Sequence, residues 1–282
     1  MRALPVLCSL VLLSGCGESA YRAGLARTAD YYAHVAMLDA NLAKPMLFGG
    51  DGIPVKVRAP IQFVPITPEP LPLDENGNPT EPPDGQLSPA EQVQPWYLGV
   101  TLPGVAGAWS VQVMTDVGGE DVGKPAFLYL LSSEVLAAQQ RAADLGLGAP
   151  PEVPPADLLF ETEARLAAAF GVEIPAGDAG SVENTNERYL ERYPRNAAMK
   201  QYHEAKPFTE IRFQPDGVVE QLEVPYKFHL YEYEDAGSGV QLAFFLVAPQ
   251  GVLRQEDLAK RMDLMLTTME LQTRGGARPS SF

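Results

Sequence analysis

The run Val240–Val247 constrains this chain more than any other stretch. Successive side chains of a strand point to opposite faces, so a run that is apolar on both faces, as this one is from Leu242 to Val247, is covered on both sides. It predicts a central strand with packed layers above and below. The strand before it, Tyr226–Tyr233, alternates instead. One face carries Tyr226, Phe228 and Leu230, and the other carries Lys227, His229, Tyr231 and Tyr233. Residues 234–239 join the two as a hairpin loop. Pro249 and Gly251 then turn the chain into a helix over 254–272, with Leu258, Met262, Met265, Leu266 and Met269 as its apolar stripe. Methionine in such a stripe is core filler.

The pattern has an earlier counterpart. Strands are predicted over Ile53–Arg58, Ile61–Val64, Tyr97–Thr101, Ala108–Thr115 and Ala126–Leu131, and a helix over 132–145. Trp109, Val111 and Val113 share one face. Residues 208–272 repeat the theme with strands at Phe208–Phe213 and Val218–Val224. Between the two lie a helix near Ala156–Phe170 and a helix-like segment, Glu187–His203, broken by Pro194. Runs of strands followed by helices indicate an α+β class, with antiparallel sheets and packed helices. The expected organisation is two related strand-strand-strand-helix units, at 48–150 and 208–282. A helical connector over 151–207 joins them, and an N-terminal helix precedes them. That helix is predicted from Ser19 to Ala43, with Tyr21, Leu25, Thr28, Tyr32, Val35 and Leu42 in a stripe and His34 next to it as a surface or packed residue. Residues 65–95, rich in proline and acid, read as an exposed loop. The order of elements resembles the PsbP/Mog1-like fold in two divergent copies.

The leader fixes an address. Arg2 precedes an apolar run, Leu4–Leu13, too short to cross a bilayer core of ~30 Å. Leu13-Ser14-Gly15-Cys16 follows, and it resembles the lipobox of bacterial lipoproteins. That resemblance implies cleavage before Cys16, leaving residues 1–15 as the signal, acylation of the Cys16 thiol, and anchorage in the bilayer. Two or three acyl chains hold a protein stably to a membrane. Gly17 rather than aspartate after the cysteine favours the outer membrane, facing the periplasm. The segments around Leu102-Pro103-Gly104, Pro125–Ser132 and the C-terminal helix resemble other envelope lipoproteins, which imply no activity to carry over.

Charge and composition exclude several classes. The formal net charge is −15, and loss of Arg2 with the leader makes it −16. Phosphate backbones repel such a chain, so nucleic acid is not an expected partner. Of the two cysteines, Cys8 leaves with the leader and Cys16 carries lipid, which leaves no intramolecular disulfide. Three near misses fail on residue type. Residues 74–85 open like a calcium loop, but Pro79 stands at the turn glycine and Gly85 at the bidentate glutamate. Residues 118–125 match the spacing of a phosphate loop. Pro125 replaces its serine or threonine, the next segment reads as strand, and Glu120 and Asp121 would repel phosphates. His203-Glu204 lacks the second histidine of a zinc motif. No cofactor, metal ligand, nucleotide site or catalytic residue is therefore assigned.

The remaining candidates form a surface for a ligand or partner: Trp96, Trp109, His229, Tyr231 and Tyr233. The expected function is non-enzymatic, in binding or assembling another envelope component. A small-molecule or peptide site in a cleft between the two units is the alternative.

Overall fold

The computed structural model describes residues 4–49, 53–76, 80, 82, 87–144, 157–172, 189–199, 202–214 and 220–272. In chain order the elements are α1 (Leu4–Asn41), β1 (Met46–Phe48), β2 (Val55–Val57), β3 (Val64–Pro65), α2 (Pro89–Gln92), β4 (Val105–Val117), β5 (Glu120–Ser132), α3 (Ser133–Asp144), α4 (Leu158–Phe170), β6 (Tyr189–Met199), β7 (His203–Gln214), β8 (Tyr226–Glu234), β9 (Gln241–Pro249), α5 (Leu258–Thr268) and β10 (Glu270–Leu271). Helices pack on antiparallel sheets, so the class is α+β. One sheet has seven strands in the order β3-β4-β5-β9-β8-β7-β6, and a small second sheet has the order β1-β2-β10.

The run that demanded cover on both sides has it. Leu242, Phe244, Leu246 and Ala248 of β9 enter one apolar cluster, while Ala243, Phe245 and Val247 enter another on the opposite face. The first cluster is closed by Leu258, Met262 and Met265 of α5, Leu38 and Leu42 near the end of α1, and Val55 and Val57 of the small sheet. The second is closed by Leu136 of α3, Leu158, Leu166 and Phe170 of α4, and Tyr97. Each large apolar side chain buried this way contributes about 1.5–3 kcal/mol relative to an exposed one. Local chemistry fixes the ends of α4. The Asp157 carboxylate accepts the Phe160 N–H, and Gly171 adopts the left-handed conformation that stops the helix.

Several elements depart from expectation. The two strand-rich stretches are not separate bodies with a cleft between them. Register pairs from Phe127↔Val247 to Ser132↔Leu242 join β5 to β9 edge to edge, so both halves share one sheet. The helix-like segment 187–203 is, where described, largely strand β6, an edge strand paired with β7, so the expected connector over 151–207 is helical at α4 but not in this part. Pro194 explains the change. In a helix interior proline removes a hydrogen bond and clashes, whereas an edge strand tolerates its missing N–H. The strand expected at Tyr97–Thr101 is a 3-10 turn, Trp96–Leu98, bounded by Pro95 and a left-handed Gly99. The strand expected at Val218–Val224 is a 3-10 turn at Glu220–Leu222 where it is described. The acidic loop contains α2, which Ser88 and Glu91 close with a reciprocal capping box.

The hairpin after β4 is tighter than expected. Gly118 and Gly119, both at positive φ, make the whole turn, and β5 begins at Glu120. In the calcium-like stretch, the Asp74 carboxylate accepts the Asn76 N–H, and residues 77–79, 81 and 83–86 lie outside the described set. The last helix starts at Leu258, after a 3-10 turn and a left-handed Asp257, rather than at Arg254. Among the described side chains of α1, those of its C-terminal part pack, with His34 and Leu38 buried and Leu42 just beyond the helix. Tyr21, Leu25 and Tyr32 of its predicted stripe are exposed. Among the described residues, no helix is long and apolar enough to cross a membrane.

Candidate functional site

The second face of β8 is where polar and aromatic groups meet a cavity. In the sheet, Arg212 of β7 lies opposite His229 of β8, and His229 lies opposite Leu246 of β9. These three residues floor a cavity of about 750 Å³, together with Lys227, Tyr231 and Ala248. Its wall is the turn from Pro249 to Asp257, and its far side is the first turn of α5, including Lys260. The wall is tied down by β4. Thr115 Oγ1 donates to the Gln250 carbonyl at 2.8 Å, the Asp116 N–H donates to the Gly251 carbonyl at 3.1 Å, and the Leu253 N–H donates to the Met114 carbonyl at 3.0 Å. Gly251 is required there, because its φ is positive and a Cβ would come within 3.1 Å of the Asp116 carbonyl.

Glu210 of β7 orients the floor. Its side chain is almost fully buried, and one carboxylate oxygen accepts from His229 Nδ1 at 3.0 Å and from Arg212 Nε at 3.0 Å. With Nδ1 donating to Glu210, His229 Nε2 is an acceptor in the neutral ring and a second donor in the protonated one. The Tyr231 ring lies nearly parallel to that of His229, with centroids 6.1 Å apart. Lys227, Arg254 and Lys260 make no salt bridge among the described residues. The cavity therefore gathers Arg212, Lys227, Arg254, Lys260 and His229, with Asp257 as the acidic residue of its lining. On a chain of charge −15 this is a local reversal of sign.

The five surface candidates separate. His229 and Tyr231 line the cavity together. Tyr233 lies on the same face of β8 but packs against Phe208, with its hydroxyl 3.4 Å from Asp235. Trp109 offers no surface. It is 1% exposed in the core, edge-on to the Phe48 ring, because its position in β4 faces the cluster under the small sheet. Trp96 is exposed but belongs to the turn beside the opposite face, where its neighbour Tyr97 stacks on Phe127. Cys16 falls on the α1 backbone, among residues whose side chains lie outside the described set.

Sequence reasoning placed Lys227 beside His229 but missed Glu210, Arg212, Arg254 and Lys260 as members of the site. Alternation within β7 puts Glu210 and Arg212 on one face, which is a usable signal. Nothing local connects them to residues 254–260.

A second polar group joins distant parts of the chain. His34 of α1 and His203 of β7 meet with their Nε2 atoms 3.2 Å apart, and Tyr202 stacks on the His34 ring with centroids 4.2 Å apart. Burial lowers the pKa of both histidines. For His203, His34, Lys206 and Lys56 lower it further, while Glu270 opposes them.

The opposite face holds buried phenols. Tyr97 and Tyr129 face each other with hydroxyls 3.2 Å apart. Desolvation raises the pKa of both. Tyr226 donates to the Pro125 carbonyl at 2.8 Å, and burial, with Glu223 nearby, pushes its pKa to about 12.

Comparison of the chain with family models, with curated proteins and with solved structures finds no match.

Proposed function

We propose that this chain is a lipid-anchored envelope protein that binds a small anionic ligand, such as a carboxylate or a phosphate, in the cavity between β8 and α5. The observation that carries the reading is the convergence of five basic side chains on one cavity of a strongly acidic protein. Like charges gathered on one cavity repel one another, and an anion relieves that repulsion. Arg212 presents a planar donor fork suited to carboxylate or phosphate, and Lys227 and Lys260 add point charges. The apolar floor of Leu246 and Ala248, beside the Tyr231 ring, suits a ligand with a hydrocarbon part. The lining holds no serine, threonine or cysteine beside His229, and the reading is binding. Lipidation at Cys16 rests on Leu13-Ser14-Gly15-Cys16.

Titration calorimetry with inorganic phosphate and with citrate tests the reading. Binding of at least one of the two is expected, and it weakens with added salt. Lys227 and Arg254 are exposed, so a Lys227→Glu, Arg254→Glu double variant keeps the fold. It weakens binding by roughly tenfold or more, the equivalent of about 1.4 kcal/mol. Absence of binding by both anions, or equal binding by the double variant, refutes the reading.

A second reading, contact with another envelope protein, has its own observation. Tyr21, Leu25, Tyr31 and Tyr32 stand exposed on α1, ahead of its buried His34 and Leu38. Aromatic side chains of this kind anchor protein contacts. Cross-linking in intact cells followed by mass spectrometry finds one dominant partner if this surface docks, and only the monomer if it does not.

A further inference from the structure

We propose that His34 and His203 form a two-histidine site for a late first-row divalent ion, of the class of Ni²⁺, Cu²⁺ or Zn²⁺, with water completing the coordination. The two residues lie 169 positions apart in sequence, yet their Nε2 atoms are 3.2 Å apart. The ring centroids are 5.3 Å apart with an interplanar angle of 55°, so the rings meet through their Nε2 edges and not face to face. An ion about 2.0–2.1 Å from each nitrogen, at that separation, subtends an N–metal–N angle of about 100°. This value lies between the square and tetrahedral angles that such ions adopt. The pair thus has the spacing of adjacent ligands without any rearrangement of the backbone.

The protonation state also suits a metal. Imidazole binds as the neutral ring, the form an unperturbed histidine takes at about pH 7.5. The rings are held in place. Tyr202 stacks on His34 at an interplanar angle of 14°, and Tyr31 packs edge-on against Tyr202. Two cations lie near His203, and each is engaged. Lys56 pairs with Glu270 at 3.0 Å, and Lys206 donates to the Thr267 carbonyl at 3.0 Å. Among the described residues no third histidine, cysteine or carboxylate completes the set, which makes the site bidentate. Its affinity is therefore that of two imidazoles, and ions favoured by nitrogen ligands head the order. The bound ion would pin the C-terminal part of α1 to β7. This site is independent of the anion cavity and stands or falls without it.

The test uses the untagged full chain and Ni²⁺ alone, by titration calorimetry at about pH 7.5, where unperturbed histidine is neutral. One ion per chain is expected. His34→Gln and His203→Gln, each checked for native circular dichroism, weaken binding by roughly tenfold or more. Lowering the pH to about 5, below the unperturbed value, abolishes it. Binding that is absent at neutral pH overturns the proposal. So does binding that persists undiminished in either variant. Should the variants fail to fold, paramagnetic resonance of the Cu²⁺-loaded wild-type chain decides. Two equatorial imidazole nitrogens support the site, and one or none refutes it.

Discussion

Phe245→Ala tests whether the two halves of the chain form one cooperative body. Phe245 is wholly buried in β9, and it stands opposite Tyr129 of β5 on one side and Leu230 of β8 on the other. Its ring lies 6.2 Å from that of Tyr129 and 6.3 Å from that of Phe228. It therefore packs at the junction between the first and second strand-rich stretches. Truncation removes the transfer free energy of a phenyl ring and leaves a cavity in a close-packed face. The expected cost is about 3–5 kcal/mol. At about 2–4 °C per kcal/mol for a chain of this size, the melting temperature falls by about 6–20 °C. Phe160, which is 65% exposed on α4, is the comparator, and its truncation changes stability by no more than about 0.5 kcal/mol. Urea unfolding followed by fluorescence and by circular dichroism measures both. A single coincident transition is expected in the wild type, shifted in Phe245→Ala. A cost below about 1 kcal/mol would refute the packing assigned to β9. Two separate transitions in the wild type would refute the shared sheet.

Alkaline pH probes the opposite face through its phenols. The native pKa values of Tyr97, Tyr129 and Tyr226 are raised above the value near 10 of an unfolded chain, that of Tyr226 to about 12. The stabilisation they add is complete below about pH 10 and is lost as pH rises toward the native values. Tyrosinate absorbance should show Tyr97, Tyr129 and Tyr226 resisting ionisation until the fold is lost. Ionisation of every tyrosine near pH 10 with the fold intact would refute the burial assigned to them. For the anchor, Cys16→Ser should move the protein from the membrane fraction to the soluble one. Equal recovery with membranes would remove lipidation at this position from the reading.

The parts of the fold legible in the sequence are those where local pattern and tertiary demand agree. The apolar run of β9 required two covered faces, and α5 and α4 supply cover on opposite sides. The alternation of β8 divided its side chains correctly between those faces. α3 and α4 were legible from their glycine and proline boundaries. β6 was not, because its charged residues recur at helical spacing and only its proline spoke for a strand. The union of the two halves was not legible either. It rests on pairing between β5 and β9, more than a hundred residues apart, and no local period records which strand a central strand will choose as its neighbour.

The same division explains the site. His229 and Tyr231 stand two residues apart on one strand face, so period alone brings them together. The rest of the cavity is assembled by three-dimensional neighbours. Arg212 comes from the next strand, and Arg254 and Lys260 come from the turn and helix that follow β9. None of these positions is unusual in its own segment. What distinguishes them is convergence, against a chain whose other charges are mostly acidic. Basic residues scattered over such a surface would be held in place by the surrounding carboxylates. Glu210 holds His229 and Arg212 in the floor, and it does so as an almost fully buried side chain. A carboxylate at that depth orients donors without occupying the space above them. A ligand that brings its own negative charge is the group that space admits most favourably.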